Sequence, residues 1–335
     1  MKFYIFTLGC QQNYYDAHKI TQFLTKLGCL LGNEKNADLI VVMGCSVRQK
    51  PVDRIYGRLN KNWAGKKVIV TACLSESDQK KLAKKGVRFI NGQNFEKEII
   101  KELNFTKRST KTLEDSGLGY LPIMTGCDNF CTYCIVPYTR GREKSRPAGE
   151  IIKEAKLLIK NRHKEITLLG QNVNSYKYDF VELLEKIEAI PGKFKISYLT
   201  SHPKDMSDEL IAWMGKSQKF SGKMHLPLQS GDDKILSAMN RKYTTRGYLK
   251  LIKKIRQASP KIDLSTDLIV GFPGETKKQF QNTLDLSKKI KFNQAYISCY
   301  CPRPGTAAAK LKDNVSLDEK NKRFHLLDKL INEKN

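Results

Sequence analysis

Three thiols stand close together in one glycine-led stretch, Thr125-Gly126-Cys127-Asp128-Asn129-Phe130-Cys131-Thr132-Tyr133-Cys134. A structural zinc site is normally closed by four ligands, whereas three thiolates on a four-iron cluster leave one iron without a protein ligand. An open metal position is where chemistry happens. Two alternatives stand beside this reading: a zinc knuckle that borrows its fourth ligand from elsewhere, and three cysteines that are merely neighbours in sequence.

A second set emerges only when cysteines are placed on expected strands. Alternation of apolar runs and helical patterns predicts strands at Lys2–Thr7, Ala37–Met43, Lys67–Thr71 and Val87–Asn91. Helices are expected at Tyr14–Leu27, Val47–Leu59, Glu76–Lys84 and Glu96–Leu103. That order implies a doubly wound parallel sheet, whose strand carboxyl ends share one edge. Cys10, Cys45 and Cys73 each follow such an end, in Thr7-Leu8-Gly9-Cys10, Met43-Gly44-Cys45 and Thr71-Ala72-Cys73, so the three thiols are expected to converge. Gly9 and Gly44 would allow tight turns beside a bulky group. Three buried structural cysteines are the alternative. Cys29 lies off this edge and is assigned to the core.

Asn104–Gly119 is polar and unpatterned and reads as a linker. A second α/β series follows, with strands near Tyr120–Met124, Glu165–Leu169, Lys195–Leu199, Lys223–Leu226, Asp263–Val270 and Gln294–Cys299. Six such units are fewer than the eight of a closed barrel, so an open partial barrel is expected, with its site at the strand carboxyl ends. The domains are therefore 1–103, a linker at 104–118, the barrel at 119–312 and a terminal helix within 313–335. His202 and His225, at strand ends, read as hydrogen-bonded structure, and Cys299 and Cys301 as packing or chance.

The Cys-x3-Cys-x2-Cys loop, with Tyr133 before its last thiol, resembles the signature of radical S-adenosylmethionine (SAM) enzymes. The resemblance implies a 4Fe-4S cluster on Cys127, Cys131 and Cys134, with SAM on the fourth iron and Tyr133 along the adenine. It further implies SAM contacts from Gly170, Gln171, Gln229 and Asp267 at strand ends. The Cys10, Cys45 and Cys73 segments are similar to the amino-terminal domain of the methylthiotransferases, in collinear order along nearly the whole chain, which implies a second, auxiliary 4Fe-4S cluster that handles sulfur. The segments Cys134-Ile135-Val136-Pro137-Tyr138-Thr139-Arg140-Gly141-Arg142 and Gly170-Gln171-Asn172-Val173-Asn174 look most like the MiaB-type branch. That branch implies methylthiolation at C2 of N6-isopentenyladenosine at tRNA position 37, with two SAM molecules used per product. Arg140, Arg142 and Arg146 would then anchor RNA phosphates, with a solvated basic loop as the alternative. The family ordinarily adds a carboxy-terminal β-barrel, the TRAM domain. No such segment precedes Asn335, so either RNA binding rests on the +26 surface or a separate partner, or this form binds RNA weakly.

Composition supports the substrate class. Lys and Arg number 60 against 34 Asp and Glu in 335 residues, a formal charge of +26 that suits a phosphate backbone. No leader pattern or membrane-length apolar run is seen, so a cytoplasmic protein is expected; a monomer is expected, and the resemblance implies a flavodoxin- or ferredoxin-type electron donor and a separate sulfur source. The same chemistry on threonylcarbamoyladenosine in tRNA or on a ribosomal-protein aspartate is the competing enzymatic reading. A non-catalytic iron–sulfur electron carrier or RNA-binding protein is the reading from another class.

Overall fold

The computed structural model describes residues 1–47, 49–103 and 118–333, so Arg48 and nearly all of the expected linker lie outside the described residues. The chain partitions into two compact units. The first is Met1–Tyr120 with Ile135–Gly141 and Arg303–Gly305; the second is Leu121–Cys134, Arg142–Pro302 and Thr306–Asn335.

The first unit runs β1 (Lys2–Thr7), α1 (Gln11–Lys26), β2 (Leu30–Leu31), β3 (Leu39–Cys45), α2 (Gln49–Lys61), β4 (Lys67–Cys73), α3 (Glu76–Ala83), β5 (Arg88–Phe89) and α4 (Phe95–Glu102). Its strands form one parallel sheet in the order β2-β1-β3-β4-β5. All seven residues of the central strand β3 are buried. Alternation sends Leu39, Val41 and Met43 to one face, against Leu24 of α1 and Ile99 of α4, and Ile40 and Val42 to the other, against Ile55 of α2 and Leu82 of α3. Two cores on one sheet make the expected doubly wound domain. Cys29 is buried in the first of them. The two-residue β2 was too short to leave a periodicity in the sequence.

The chain continues through β6 (Tyr120–Pro122), β7 (Met124–Thr125), α5 (Val136–Thr139, part of the first unit), β8 (Lys144–Ser145), α6 (Ala148–Lys160), β9 (Glu165–Leu169), α7 (Phe180–Glu188), β10 (Lys195–Tyr198), α8 (Asp208–Lys216), β11 (Lys223–His225), α9 (Asp233–Ala238), α10 (Thr245–Ala258), β12 (Asp263–Val270), α11 (Lys277–Ile290), β13 (Gln294–Cys299) and α12 (Leu317–Ile331). The barrel strands form two three-stranded sheets, β10-β9-β6 and β11-β12-β13. The seam between them is held by Ile196, whose N–H donates to Lys219 O at 2.7 Å and whose carbonyl accepts from Ser221 N at 2.9 Å. This is the open six-stranded arrangement that the sequence predicts. Asp179, Ser207, Asp232, Thr244, Thr276 and Ser316 each cap a helix start with a side-chain oxygen, worth about 1 kcal/mol apiece.

One expected strand is divided. Ile123 N still donates to Leu169 O at 2.9 Å, but Met124 and Thr125 turn aside to pair antiparallel with Ser145 and Lys144. That small ladder opens the three-thiol loop. Among the described residues no helix is long and apolar enough to cross a membrane.

Candidate functional site: two sets of three thiols

In the first unit, Cys45 and Cys73 end adjacent strands and are partners in the β3–β4 register. Cys10 occupies the N-cap of α1, where unpaired backbone N–H groups favour an anionic ligand. Gly9 takes φ +105°, and a Cβ there would lie 2.7 Å from Asn13 Nδ2 and 3.0 Å from Cys45 Cβ. Gly9→Ala is therefore expected to cost roughly 1–3 kcal/mol through backbone strain and crowding, read as a lower denaturant midpoint. An unchanged midpoint would remove this turn from the account. Gly44 is small for another reason: a Cβ would press Leu74 Cγ at 2.9 Å.

Asn13 locks this edge. Its Nδ2 donates to Leu8 O at 2.6 Å and Gly44 O at 3.0 Å, tying the ends of β1 and β3 together. Its Oδ1 accepts from Arg140 Nη2 at 2.8 Å, and Arg140 Nε donates to Cys73 Sγ at 2.6 Å. Burial pushes the Cys73 thiol up to about 12; Arg140 opposes the rise, while Cys10 and Cys45 add to it. The three thiols thus share one electrostatic neighbourhood. A bare thiolate there is costly, so deprotonation has to be coupled to binding a cation.

The second unit holds the other set. Cys127 and Cys131 are buried and Cys134 partly so. Asn129 Nδ2 donates to Cys127 Sγ at 3.4 Å, and the buried Arg241 donates from Nη1 to Cys131 Sγ at 3.4 Å. Arg241 is held in turn by Tyr243 Oη at 2.9 Å and Pro227 O at 3.2 Å. Asn240, at φ +58°, donates to the carbonyls of Asn129 at 3.2 Å and Phe130 at 3.0 Å, and Thr132 Oγ1 donates to Ala238 O at 2.8 Å. The loop is therefore seated on the end of α9. Nothing in the sequence near Asn240 and Arg241 announced this role, because they lie more than a hundred residues from the thiols they support.

Among the described residues, no three His, Cys, Asp or Glu side chains converge as ligands of a single metal ion. Thiolates of a four-iron cluster each bind a different iron and stand further apart than those of a tetrahedral zinc. The donor groups aimed at Cys73, Cys127 and Cys131 suit such a cluster, whose sulfurs accept hydrogen bonds.

The strand-end residues fall into two kinds. Gln229, at φ +68°, has its Oε1 buried without a hydrogen-bond partner, as do Asn172 Oδ1 and Ser201 Oγ after β9 and β10. Three orphaned polar atoms at successive strand ends fit a polar ligand such as SAM. Gly170 is crowded, since a Cβ would lie 2.5 Å from Met124 Cγ. Gln171 Oε1 accepts from Gly126 N at 2.6 Å and so braces the thiol loop. Asp267 Oδ2 is engaged by His225 Nε2 at 3.1 Å, whose Nδ1 lies 3.0 Å from Ser265 Oγ. Tyr133 packs against Ile235, Met239, Phe272, Tyr300 and Ala308. Burial, with Arg241 and Lys204, holds His202 down at about 2, and its Nδ1 accepts from Lys204 N at 3.1 Å, so it is neutral structure.

The three arginines expected at RNA phosphates divide likewise. Arg140 spends its donors on Cys73 and Asn13, and Arg146 pairs with buried Glu154 at 2.8 Å and donates to Pro122 O at 2.5 Å. Arg142 alone has an exposed side chain, paired with Asp128 at 2.6 Å. Cys299 packs against the barrel core, and Cys301 is exposed. The turn Gly271-Phe272-Pro273-Gly274-Glu275 follows β12. A Cβ at Gly271 would collide with the Lys320 stem, so this turn seats α12.

Residues 121–287 match the radical SAM superfamily, and residues 2–92 match the uncharacterized protein family UPF0004. A tRNA-2-methylthio-N(6)-dimethylallyladenosine synthase of Clostridium botulinum (strain Okra / Type B1) is 40% identical over 369 residues, covering 99% of this chain and 82% of its own. A relative of the same name from Caldicellulosiruptor saccharolyticus is 39% identical over 99% of this chain and 78% of its own. Among solved structures, the radical SAM methyltransferase TsrM of Kitasatospora setae, with cobalamin and a 4Fe-4S cluster bound, superposes with a TM-score of 0.69 at 12% identity over 92% of this chain and 77% of that one. The cobalamin-dependent SAM radical enzyme OxsB gives 0.60 at 11% identity over 99% and 55%. These two likenesses speak for the fold.

Proposed function

The chain belongs to the radical SAM superfamily and, within it, to the tRNA-2-methylthio-N(6)-dimethylallyladenosine synthases, and from that premise we propose that it inserts a methylthio group at C2 of N6-isopentenyladenosine at tRNA position 37. The observation that carries the reading is the presence, in one such chain, of two sets of three cysteines, each with an arginine hydrogen-bonded to one of its sulfurs. When bound, a 4Fe-4S cluster on each set would supply, respectively, a 5′-deoxyadenosyl radical from SAM and a place for the sulfur to be delivered.

The residues divide that work. Cys127, Cys131 and Cys134 would hold the SAM-side cluster, with Arg241 fixing Cys131 and Gln171 fixing the loop's entry. Gln229, Asn172 and Ser201 would take up the polar atoms of SAM, which their orphaned groups require. Gly170 gives the loop room beside Met124, and Tyr133 and Asp267 would line the nucleoside side. Cys10, Cys45 and Cys73 would hold the sulfur-handling cluster. Arg142 and the +26 charge would meet the anticodon stem-loop phosphates, the target base being splayed into the site at moderate cost. A cytoplasmic setting, an external electron donor and a separate sulfur source complete the reading.

The test is mass spectrometry of nucleosides from isopentenylated tRNA after anaerobic incubation with the reconstituted protein, SAM and a strong reductant. A methylthio increment on isopentenyladenosine is expected. Deoxyadenosine without a modified nucleoside would reject the substrate while keeping the radical chemistry.

A further inference from the structure

We infer that Arg140 is a positioning residue of the second thiol set: its guanidinium clamps Cys73 and sets how readily a cluster on Cys10, Cys45 and Cys73 accepts an electron. This rests on the reading that those three cysteines hold a cluster.

Four observations bear on it, all within the first unit. Arg140 Nε donates to Cys73 Sγ at 2.6 Å, a charge-assisted contact to a ligand atom. The same guanidinium is held from behind by Asn13 Oδ1 at 2.8 Å and Asp16 Oδ2 at 3.6 Å. Asn13 is itself pinned by two backbone carbonyls at the ends of β1 and β3, so the fork has little freedom to leave the sulfur. The Arg140 side chain is only 11% exposed, which keeps its charge poorly screened at the thiol.

The residue arrives there by local means. Pro137 stands in the first turn of the four-residue α5, and Arg140 is its C-cap, at the end of a segment that belongs to the first unit. The same peptide runs on directly from Cys134. One stretch of chain therefore closes one thiol set and delivers a counter-charge to the other. Each electron added to a cluster makes its sulfurs more negative, and hydrogen bonds and positive charge at those sulfurs favour the reduced form. Loss of the guanidinium lowers the potential. A lysine would keep the charge but lose the planar fork that engages Cys73 and Asn13 together.

The experiment uses the full chain with Cys127, Cys131 and Cys134 all replaced by Ala, so that one set remains, alone and with Arg140→Gln or Arg140→Lys. Each protein is reconstituted anaerobically, its iron and sulfide are counted, and its midpoint potential is titrated by electron paramagnetic resonance. Arg140→Gln is expected to load a cluster whose reduced-to-oxidised ratio at fixed potential falls about tenfold, a shift of about 59 mV for one electron. Arg140→Lys should recover part of that shift. A loaded Arg140→Gln protein with the parent's midpoint overturns the inference. Where Arg140→Gln does not load, Arg140→Lys decides: a more negative midpoint supports tuning, and an unchanged one rejects it. Folded variants that both fail to load also overturn it, making Arg140 an assembly residue. A parent that binds no iron sinks the cluster reading itself, and this inference with it.

Discussion

Replacing Cys127, Cys131 or Cys134 with alanine is expected to abolish 5′-deoxyadenosine formation, whereas Cys10→Ala, Cys45→Ala and Cys73→Ala should keep it and lose the methylthio product. The asymmetry follows from the different supports of the two sets. Asn129 and Arg241 address sulfurs of the barrel loop, and Asn13 and Arg140 order the sheet edge, with no side chain shared between these two supports. Loss of an outer-shell partner typically costs roughly 10–100-fold in affinity or activity, so loss of a ligand should cost more than that. Folding is not the confounder, because Cys→Ala removes a single heavy atom, which even at the buried Cys45, Cys73, Cys127 and Cys131 leaves a cavity worth about 1 kcal/mol. The measurement is chromatographic assay of deoxyadenosine and of the tRNA nucleosides from the same anaerobic reaction. A Cys131→Ala protein that makes deoxyadenosine at the parent rate would reject the barrel assignment.

The strand ends that carry Cys45 and Cys73 were legible because a parallel sheet has a rule that links distant residues. Strand carboxyl ends share one edge, so Cys10, Cys45 and Cys73 were expected together without any motif, and the register pairs Cys45 with Cys73. The barrel loop was legible from spacing alone. The supports of both sets were not. Arg140 and Cys73 are 67 residues apart, and Arg241 and Cys131 are 110 apart. Neither pair obeys a period or a strand rule; each depends on where a loop happens to return. Arg140 illustrates the cost, since its sequence neighbourhood suggested an RNA phosphate and its burial gives it a sulfur instead. Gly271 teaches the same lesson, because a glycine-rich turn admits any close neighbour, and only the fold shows that here it is the Lys320 stem of α12.

That docking of α12 carries the second large effect. Arg323→Met is expected to destabilise the protein by about 3–5 kcal/mol at neutral pH, the usual cost of stripping a partner from a buried ion pair. Arg323 Nη1 lies 2.7 Å from Glu275 Oε2, with the two side chains 4% and 1% exposed. Glu275 Oε2 also accepts from Gly271 N at 2.7 Å, and Arg323 Nε donates to Glu319 at 2.9 Å, so one carboxylate joins the β12 turn to the terminal helix. Burial raises the Glu275 carboxyl above its ordinary value of 4.5, against the opposing pull of the Gly271 N–H and Arg323. Between the ordinary and the raised value the folded chain binds more protons than the unfolded one, so stability from this group grows as pH falls through that window and is lost as pH rises through it. Removing Arg323 deletes one of the two opposing pulls and extends the window upward. The variant should therefore recover part of its deficit on acidification toward the ordinary carboxylate range, and Glu275→Gln in the same background should recover part of it at neutral pH by removing the stranded charge. Denaturant unfolding at two pH values decides: a cost that stays constant with pH would mean that Arg323 contributes packing alone, and that the Glu275 charge does not govern how α12 is held.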